Sequence, residues 1–434
     1  MAYFMLPKII NNSISSENIG AILCNNTQDK ELIVLSKSLQ YYLNTNKKKI
    51  NEVIDDWDTY KKYTNPYEYI HTSLSSTNKI SISKIKPLSR SFYKMIEICS
   101  LFNFFDNYNN PTPIKSFHLA EGPGGFIEAF VYIRNNPNDT YYGMTLISDN
   151  MNIPSWKKSK LFLQKNKNVV IESGITNTGD LMSKKNLLYC LDKYNNSMNV
   201  VSGDGGFDFS VDFNNQEQIC TNLIFAQICF AIAIQKQGGS FVLKVFDIFT
   251  QASIDLLYIL SNCYEKVYII KPNTSRVANS EKYIICKNFV LENSKPFVLR
   301  LSKIYDVMDC EKTMENEIRR FLNINISHYY INKLEEINAI FGQQQIENIN
   351  ATFNLIGNTK NDKIELYKKN NISKCTHWCQ KYNIPYNKTI TAPNIFMSSR
   401  DSSHDSSHDS FSDDTDEPIL QSNLTKNETY TNSK

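Results

Sequence analysis

The chain of 434 residues predicts an α/β protein built on a doubly wound, mostly parallel seven-stranded sheet with an antiparallel last strand. Three observations carry this. Short apolar runs alternate with helical windows between residues 116 and 287. The last two of these runs are joined by a loop with no helix. The composition, 41% hydrophobic and 12% aromatic with only 14 Gly and 13 Pro, suits a large core and excludes collagen-like, Gly/Pro-rich and wholly disordered architectures.

The elements follow in order. Residues 1–87 form a mixed, mainly helical extension with periodicity at Leu32, Leu35, Leu39 and Leu43, ending in the aromatic, basic stretch DWDTYKKYTNPYEYIHTS. Residues 88–296 form the main domain. It opens with an amphipathic helix at 89–105, followed by strands at 116–120, 141–147, 168–172, 198–203, 240–246, 264–270 and 282–287. Helices are expected at about 125–134, 180–194, 216–237 and 250–262. The loop KPNTSRVANS between the last two strands predicts an antiparallel pair. Residues 297–395 form a helical region in which EKTMENEIRRFLNI, INKLEEINAIF and QQQIENINATFNLI read as helices. Residues 396–434, rich in Ser, Asp and His with a DSSH repeat, have too little apolar surface to offset chain entropy and are expected to be a disordered acidic tail.

The net charge is +3, but from Arg400 onward it is −5, which leaves a mildly basic body of +8. Such a body is compatible with a polyanionic partner without requiring one. Ten scattered cysteines, several in apolar runs, suit reduced, buried thiols and a cytoplasmic, reducing compartment. No run of 18 apolar residues and no secretory signal is seen, so no membrane association is expected. Cys375, His377 and Cys379 lack a fourth ligand and the usual spacing, so no metal is assigned.

Five segments carry chemistry. FHLAEGPGGFIEAF places a Gly-rich turn (Glu121, Gly122, Pro123, Gly124, Gly125, Phe126) between a strand and a helix, at the sheet edge where open α/β sheets bind ligands. It lacks the dinucleotide and P-loop patterns, and a plain tight turn needing glycine is the alternative. Asp204 in VVSGDGGFDFS follows a buried strand, as a turn residue or a catalytic carboxylate. Lys244 lies inside the apolar strand SFVLKVF, where it either snorkels to solvent or meets a partner. Glu281 opens the final strand, and Lys94 lies on the helix before the first one.

Together these residues resemble the FtsJ-like family of RNA 2′-O-ribose methyltransferases and, within it, the mRNA cap branch that includes enzymes of large cytoplasmic DNA viruses. EGPGGF at 121–126, DGGFDFS at 204–210, NQE at 215–217, LKVFD at 243–247 and SRVANSEKY at 275–283 carry the resemblance, which covers about residues 88–290. It implies a Rossmann-like, S-adenosylmethionine-dependent methyltransferase fold and a Lys94–Asp204–Lys244–Glu281 tetrad. Lys244 is then the base for the ribose 2′-hydroxyl, with Asp204 and Glu281 orienting it, and Lys94 and desolvation offsetting the rise in its pKa that the carboxylates cause. The family's usual acidic residue ending the first strand is replaced by His118, and Glu121 is expected to supply that charge.

Asp180 and the segment Thr145–Asp149 are candidates for adenosine contact, with a helix N-cap as the alternative for Asp180. Lys157, Lys158 and Lys160 either track phosphates or form a solvated helix face. Tyr60, Tyr63 and Tyr67 either stack a base or belong to the core. The implied partner is RNA, in the first instance capped mRNA, together with other capping or transcription proteins. The competing readings are 2′-O-methylation of ribosomal or transfer RNA, and a noncatalytic RNA-binding subunit on the same fold.

Overall fold

The computed structural model describes residues 3–9, 14, 16–25, 34–74, 80–106, 112–148, 150, 153–206, 214–311, 316–358 and 361–388; the Ser/Asp/His-rich segment from 396 lies outside them. The seven apolar runs all form strands: β3 (Lys115–Leu119), β4 (Thr140–Met144), β5 (Val169–Ile171), β6 (Met198–Gly203), β7 (Gln235–Val245), β8 (Tyr264–Ile270) and β9 (Lys282–Phe289). An eighth, β1 (Tyr3–Met5), comes from the amino-terminal extension and pairs antiparallel with β8, giving the order β1-β8-β9-β7-β6-β3-β4-β5. β3 to β7 are parallel, whereas β9 inserts between β7 and β8, antiparallel to both. The expected antiparallel strand is therefore internal, with β8 outside it. Three residues at an edge leave too short a pattern for β1 to be read from sequence.

The central strands are buried on both faces, which is why they read as continuous apolar runs. Alternate residues still part to opposite sides. Val200, Val242, Tyr283 and Ile285 join one cluster with Phe92, Phe126 and Trp378. Val201, Phe241, Leu243 and Ile284 join the other with Phe225, Leu260 and Leu301. The helices follow the same division. α3 (Ser91–Leu101) and α4 (Gly125–Arg134) lie on the first face, and α6 (Lys184–Tyr194), α7 (Gln216–Ile234) and α8 (Gln251–Cys263) on the second; short α5 (Lys160–Lys165) leads into β5. α7 is long and apolar enough to cross a membrane by composition, but it is a core helix whose residues Phe225–Ile234 are all buried.

The extension contributes β2 (Ile19–Asn25), α1 (Lys37–Lys49) and α2 (Ile54–Thr64). Of the leucine periodicity, Leu43 is buried on α1 and Leu35 just before it, while Leu32 lies outside the described residues. After β9 come α9 (Lys295–Glu311), β10 (Asn316–Leu322), α10 (His328–Ile356) and α11 (Asn361–Lys381). β10 corrects the helical reading of EKTMENEIRRFLNI: it pairs antiparallel with β2. Asp255 on α8 accepts from the Phe321 and Leu322 amides and from the Arg320 guanidinium, holding the segment extended. A partner strand from the other end of the chain overrides local propensity here. The two helices expected between 331 and 356 are one continuous helix. Tyr63 and Tyr67 pack against the core and Tyr60 sets its ring edge-on to Tyr63, which supports the core reading of that stripe.

Candidate active site

Four side chains widely separated in sequence converge at the carboxyl edge of the parallel strands. Asp204 follows β6, its amide donating to the Leu119 carbonyl at the end of β3 (3.2 Å). Lys244 is the penultimate residue of β7, in register with Tyr283 of β9. Glu281 immediately precedes β9, and Lys94 reaches in from the first turn of α3. Lys94 Nζ lies 2.7 and 2.8 Å from the two Glu281 carboxylate oxygens. Lys244 Nζ lies 3.3 Å from Asp204 Oδ1 and donates to the Asp204 carbonyl at 2.6 Å. The sequence-predicted tetrad is thus brought together as two ion pairs.

Tyr283 joins the pairs, and the sequence reading missed it. Its hydroxyl donates to Asp204 Oδ1 at 3.0 Å and lies 3.4 Å from Lys94 Nζ. Tyr283 is two residues beyond Glu281 in the strand, and that two-residue spacing was the available signal. Ser275 donates to Glu281 at 2.7 Å, and Lys271 donates to the Glu281 and Asn279 carbonyls, fixing the loop that carries the glutamate. Glu217 of the NQE segment is a supporting residue. It accepts from the Phe249 and Thr250 amides and the Ser253 hydroxyl, holding the turn after β7.

Burial depresses the Lys94 amine, and although Glu281 and Asp204 pull the other way, its pKa falls below the ordinary lysine value. Burial also opposes the Glu281 charge, but Lys94 and Lys244 outweigh it and hold the carboxylate well below the usual range. At Lys244 the balance differs from expectation. Burial acts downward, yet Asp204 and Glu281 together prevail and its pKa lies above the ordinary value. The reason is geometric: Lys244 sits directly on Asp204, whereas Lys94 is paired with Glu281.

The Gly-rich turn lies beside this cluster. Glu121 Oε1 accepts from the Phe126 and Ile127 amides (2.7 and 3.1 Å), filling the amino-terminal end of α4. Burial, with Asp204 nearby, raises its pKa well above the usual carboxyl value. The glycines are required first by the protein itself. Gly124 has φ +110°, and Trp156 and Leu88 stand against it. A Cβ on Gly122 would come within 2.9 Å of the Pro154 carbonyl, and one on Gly125 within 2.2 Å of the Ser89 and Ser91 hydroxyls. With the helix-end amides taken by a carboxyl group, the turn suits a cationic ligand better than a phosphate. The indole N–H of Trp156, buried against the turn, has no protein partner among the described residues.

Asp180 lies in the loop before α6, where its carboxylate accepts from the Met182 amide at 2.8 Å; the cap of α6 is Ser183, so the N-cap alternative for Asp180 does not hold. This loop runs along the segment after β4, the Ile147 amide donating to the Thr178 carbonyl (2.8 Å), while Asp149 lies outside the described residues. His118 is fully buried between the Ser116 and Ser202 hydroxyls, each 2.7 Å away, and does not reach the site. Lys157, Lys158 and Lys160 are exposed. Cys375 and Cys379 face the core of α11 while His377 is exposed, so the three do not converge.

A mostly parallel sheet with one inserted antiparallel strand, and a polar cluster at its carboxyl edge beside a Gly-rich turn, is the Rossmann-like architecture of a methyltransferase. Residues 87–289 match the FtsJ-like methyltransferase family. Among curated proteins, cap-specific mRNA (nucleoside-2′-O-)-methyltransferase 2 of Danio rerio is 28% identical over 344 residues, covering 74% of this chain and 43% of that protein. The corresponding protein of Pongo abelii is 25% identical, covering 88% of this chain and 49% of its own length. Cap-specific mRNA (nucleoside-2′-O-)-methyltransferase 1 of Mus musculus is 35% identical over 177 residues, covering 39% of this chain and 20% of that protein. The chain spans less than half the length of these relatives.

Proposed function

We propose that the chain is an S-adenosylmethionine-dependent RNA ribose 2′-O-methyltransferase acting on the first transcribed nucleotides of capped mRNA. The observation that carries the reading is the convergence of Lys94, Asp204, Lys244 and Glu281 beside the 121–126 turn. The cap-specific names of the relatives favour capped mRNA over ribosomal or transfer RNA. A filled tetrad speaks against a noncatalytic subunit. The eight cysteines described are all buried and outside any disulfide, in keeping with a reducing, cytoplasmic setting. The Asn- and Lys-rich composition suits AT-rich coding, consistent with a large cytoplasmic DNA virus as source.

When bound, S-adenosylmethionine supplies an electrophilic methyl group on a positively charged sulfur. The residues placed to hold it are the 121–126 turn, the Thr145–Ser148 segment and Asp180. Glu121 is the buried carboxyl group of that turn; burial favours its neutral form, and a cation bound beside it would favour its ionisation. Lys244 accepts the proton of the ribose hydroxyl; Asp204, itself held by the Tyr283 hydroxyl, fixes its amine, and Glu281 is held by Lys94 and Ser275. In this resting arrangement Lys244 is protonated, so a proton must leave it before it can act as base. The charges of Lys94, Lys244 and Glu281 are mutually coupled. The test is methyl transfer from labelled cofactor to capped and uncapped RNA. Transfer to the 2′-oxygen of capped RNA, lost in Lys244→Ala with cofactor affinity retained, is the expected result. Equal transfer by the variant overturns the assignment.

A further inference from the structure

The sheet carries a second polar constellation, at the end away from the tetrad. Lys266 of β8 and Lys287 of β9 stand directly opposite each other in the antiparallel register. Like charges in that position destabilise a sheet. At the tetrad each lysine has a carboxylate within 3.3 Å, but among the described residues neither Lys266 nor Lys287 has one at ion-pair distance. The nearest carboxylate along the strand, Glu265, is taken by the Asn288 amide at the rim. Lys287 is half-buried, donates one N–H to the Phe102 carbonyl (3.1 Å) and lies 4.4 Å from the centre of the Phe104 ring. An ammonium has three donors, so others remain for a ligand.

Both lysines line a cavity of about 520 Å³. Four aromatic residues, Tyr3, Phe102, Phe104 and Tyr268, share its walls with polar groups that include Ser240 and the Glu265 carboxylate. Tyr3 sets its ring edge-on to Phe102 and Tyr268, which are tilted to each other, with ring centres 5.2–5.8 Å apart, and Tyr3 is 51% exposed. Lys287 is six residues along the strand from Glu281, roughly 20 Å at 3.3 Å per residue. The helix that delivers Lys94 to the tetrad, α3, ends at this cavity with Leu101.

We propose that this cavity is a second, noncatalytic site that takes a nucleotide, its phosphate between Lys266 and Lys287 and its base against the Tyr3–Phe102–Tyr268 rings. Two opposed ammonium groups with no carboxylate at ion-pair distance among the described residues, felt only at longer range by Asp106 and Glu265, call for an anion. Aromatic faces beside them call for a planar ring, and base stacking on such a face is worth about 1–3 kcal/mol. The ligand is a free nucleotide or one residue of an RNA chain, and the two sources are separable by experiment. The inference does not depend on the methyl-transfer reading, because its test reads binding alone.

A 5′-phosphorylated, uncapped octaribonucleotide carrying 4-thiouridine is photocrosslinked to the full-length protein and the adducts are mapped by mass spectrometry. Its affinity is measured across a salt series for wild type and Lys266→Glu, an exposed position where the fold tolerates a charge change. Crosslinks at Tyr3, Phe102 or Tyr268 are expected, together with roughly tenfold weaker binding by the variant and a salt slope smaller by about 1. GMP that displaces the crosslink identifies a free-nucleotide site; GMP that does not identifies a site for RNA. Crosslinks confined to other segments overturn the proposal, as does an unchanged affinity and slope in Lys266→Glu.

Discussion

The two ends of the sheet use lysine in opposite ways. At the carboxyl edge, Lys94 and Lys244 each face a carboxylate and are tied together through the Tyr283 hydroxyl. At the far end, Lys266 and Lys287 stand opposite each other on neighbouring strands, at the wall of a cavity that aromatic and polar groups share. Internal pairing satisfies charge inside the protein, so such lysines are suited to moving a proton rather than attracting a distant anion. Unpaired lysines keep their field for a ligand. On the two proposals made above, the same residue type serves chemistry in one place and recognition in the other, and its neighbours decide which.

The contrast can be broken most forcefully at Lys244. Replacing it by Ala removes the base, and methyl transfer is expected to fall at least 100-fold, the lower end of what a positioned acid–base group contributes. Calorimetry should show cofactor affinity nearly unchanged. A variant that transfers methyl groups at the wild-type rate would show that the paired lysine is structural.

Gly124→Val tests the turn that neighbours the pair. The strained φ and the Trp156 and Leu88 contacts leave no room for a branched side chain, so cofactor binding measured by calorimetry should be lost. Retained affinity in the folded variant would place the cofactor elsewhere.

The pH dependence sharpens the comparison. Because the Lys244 pKa is held above its ordinary value, the neutral amine is scarce at pH 7. The rate with capped RNA should therefore climb close to tenfold per pH unit from about pH 6.5 to 8.5. A flat profile would mean that deprotonation of Lys244 does not limit the reaction. Tyr283→Phe removes the bridge while leaving both ion pairs, and is expected to lower kcat by about tenfold with little change in KM. An equal loss confined to KM would argue against a positioning role.

The smallest effect concerns stability away from both ends. Burial holds the His118 imidazole down at about 3, below its ordinary 6.5. The folded state therefore takes up its proton later than the unfolded chain. The stability that goes with this is fully present above pH 6.5 and is lost as pH falls towards 3. Urea unfolding of wild type and His118→Asn should differ by a constant amount above pH 7, and the difference should shrink as pH drops from 6 to 4. A difference independent of pH would mean that the imidazole titrates alike in the folded and unfolded chain.

Much of this was legible in the sequence, for physical reasons. Strands buried on both faces leave apolar runs such as FVLKVF, and the one charge inside that run pointed to Lys244. The convergence of Lys94 and Glu281 rested on resemblance, since nothing local ties positions 187 residues apart. Tyr283 was hidden because an aromatic residue in a core strand looks like packing. β1 and β10 were hidden because each depends on a partner from the other end of the chain. The glycines at 122–125 were legible as necessary, but the first reason is the press of Pro154, Trp156 and the start of α3, which no turn pattern reveals.

The loop that presents Glu281 is gripped from outside the matched span. Arg276 in that loop is held by Glu68 of the extension at 2.7 and 3.1 Å, and Asp247, three residues past Lys244, by Lys47 at 3.0 Å. The first 87 residues are therefore a splint for the chemistry as well as a source of one outer strand. A gene trimmed to start at residue 88 would keep all four tetrad codons and lose the scaffold that aims two of them.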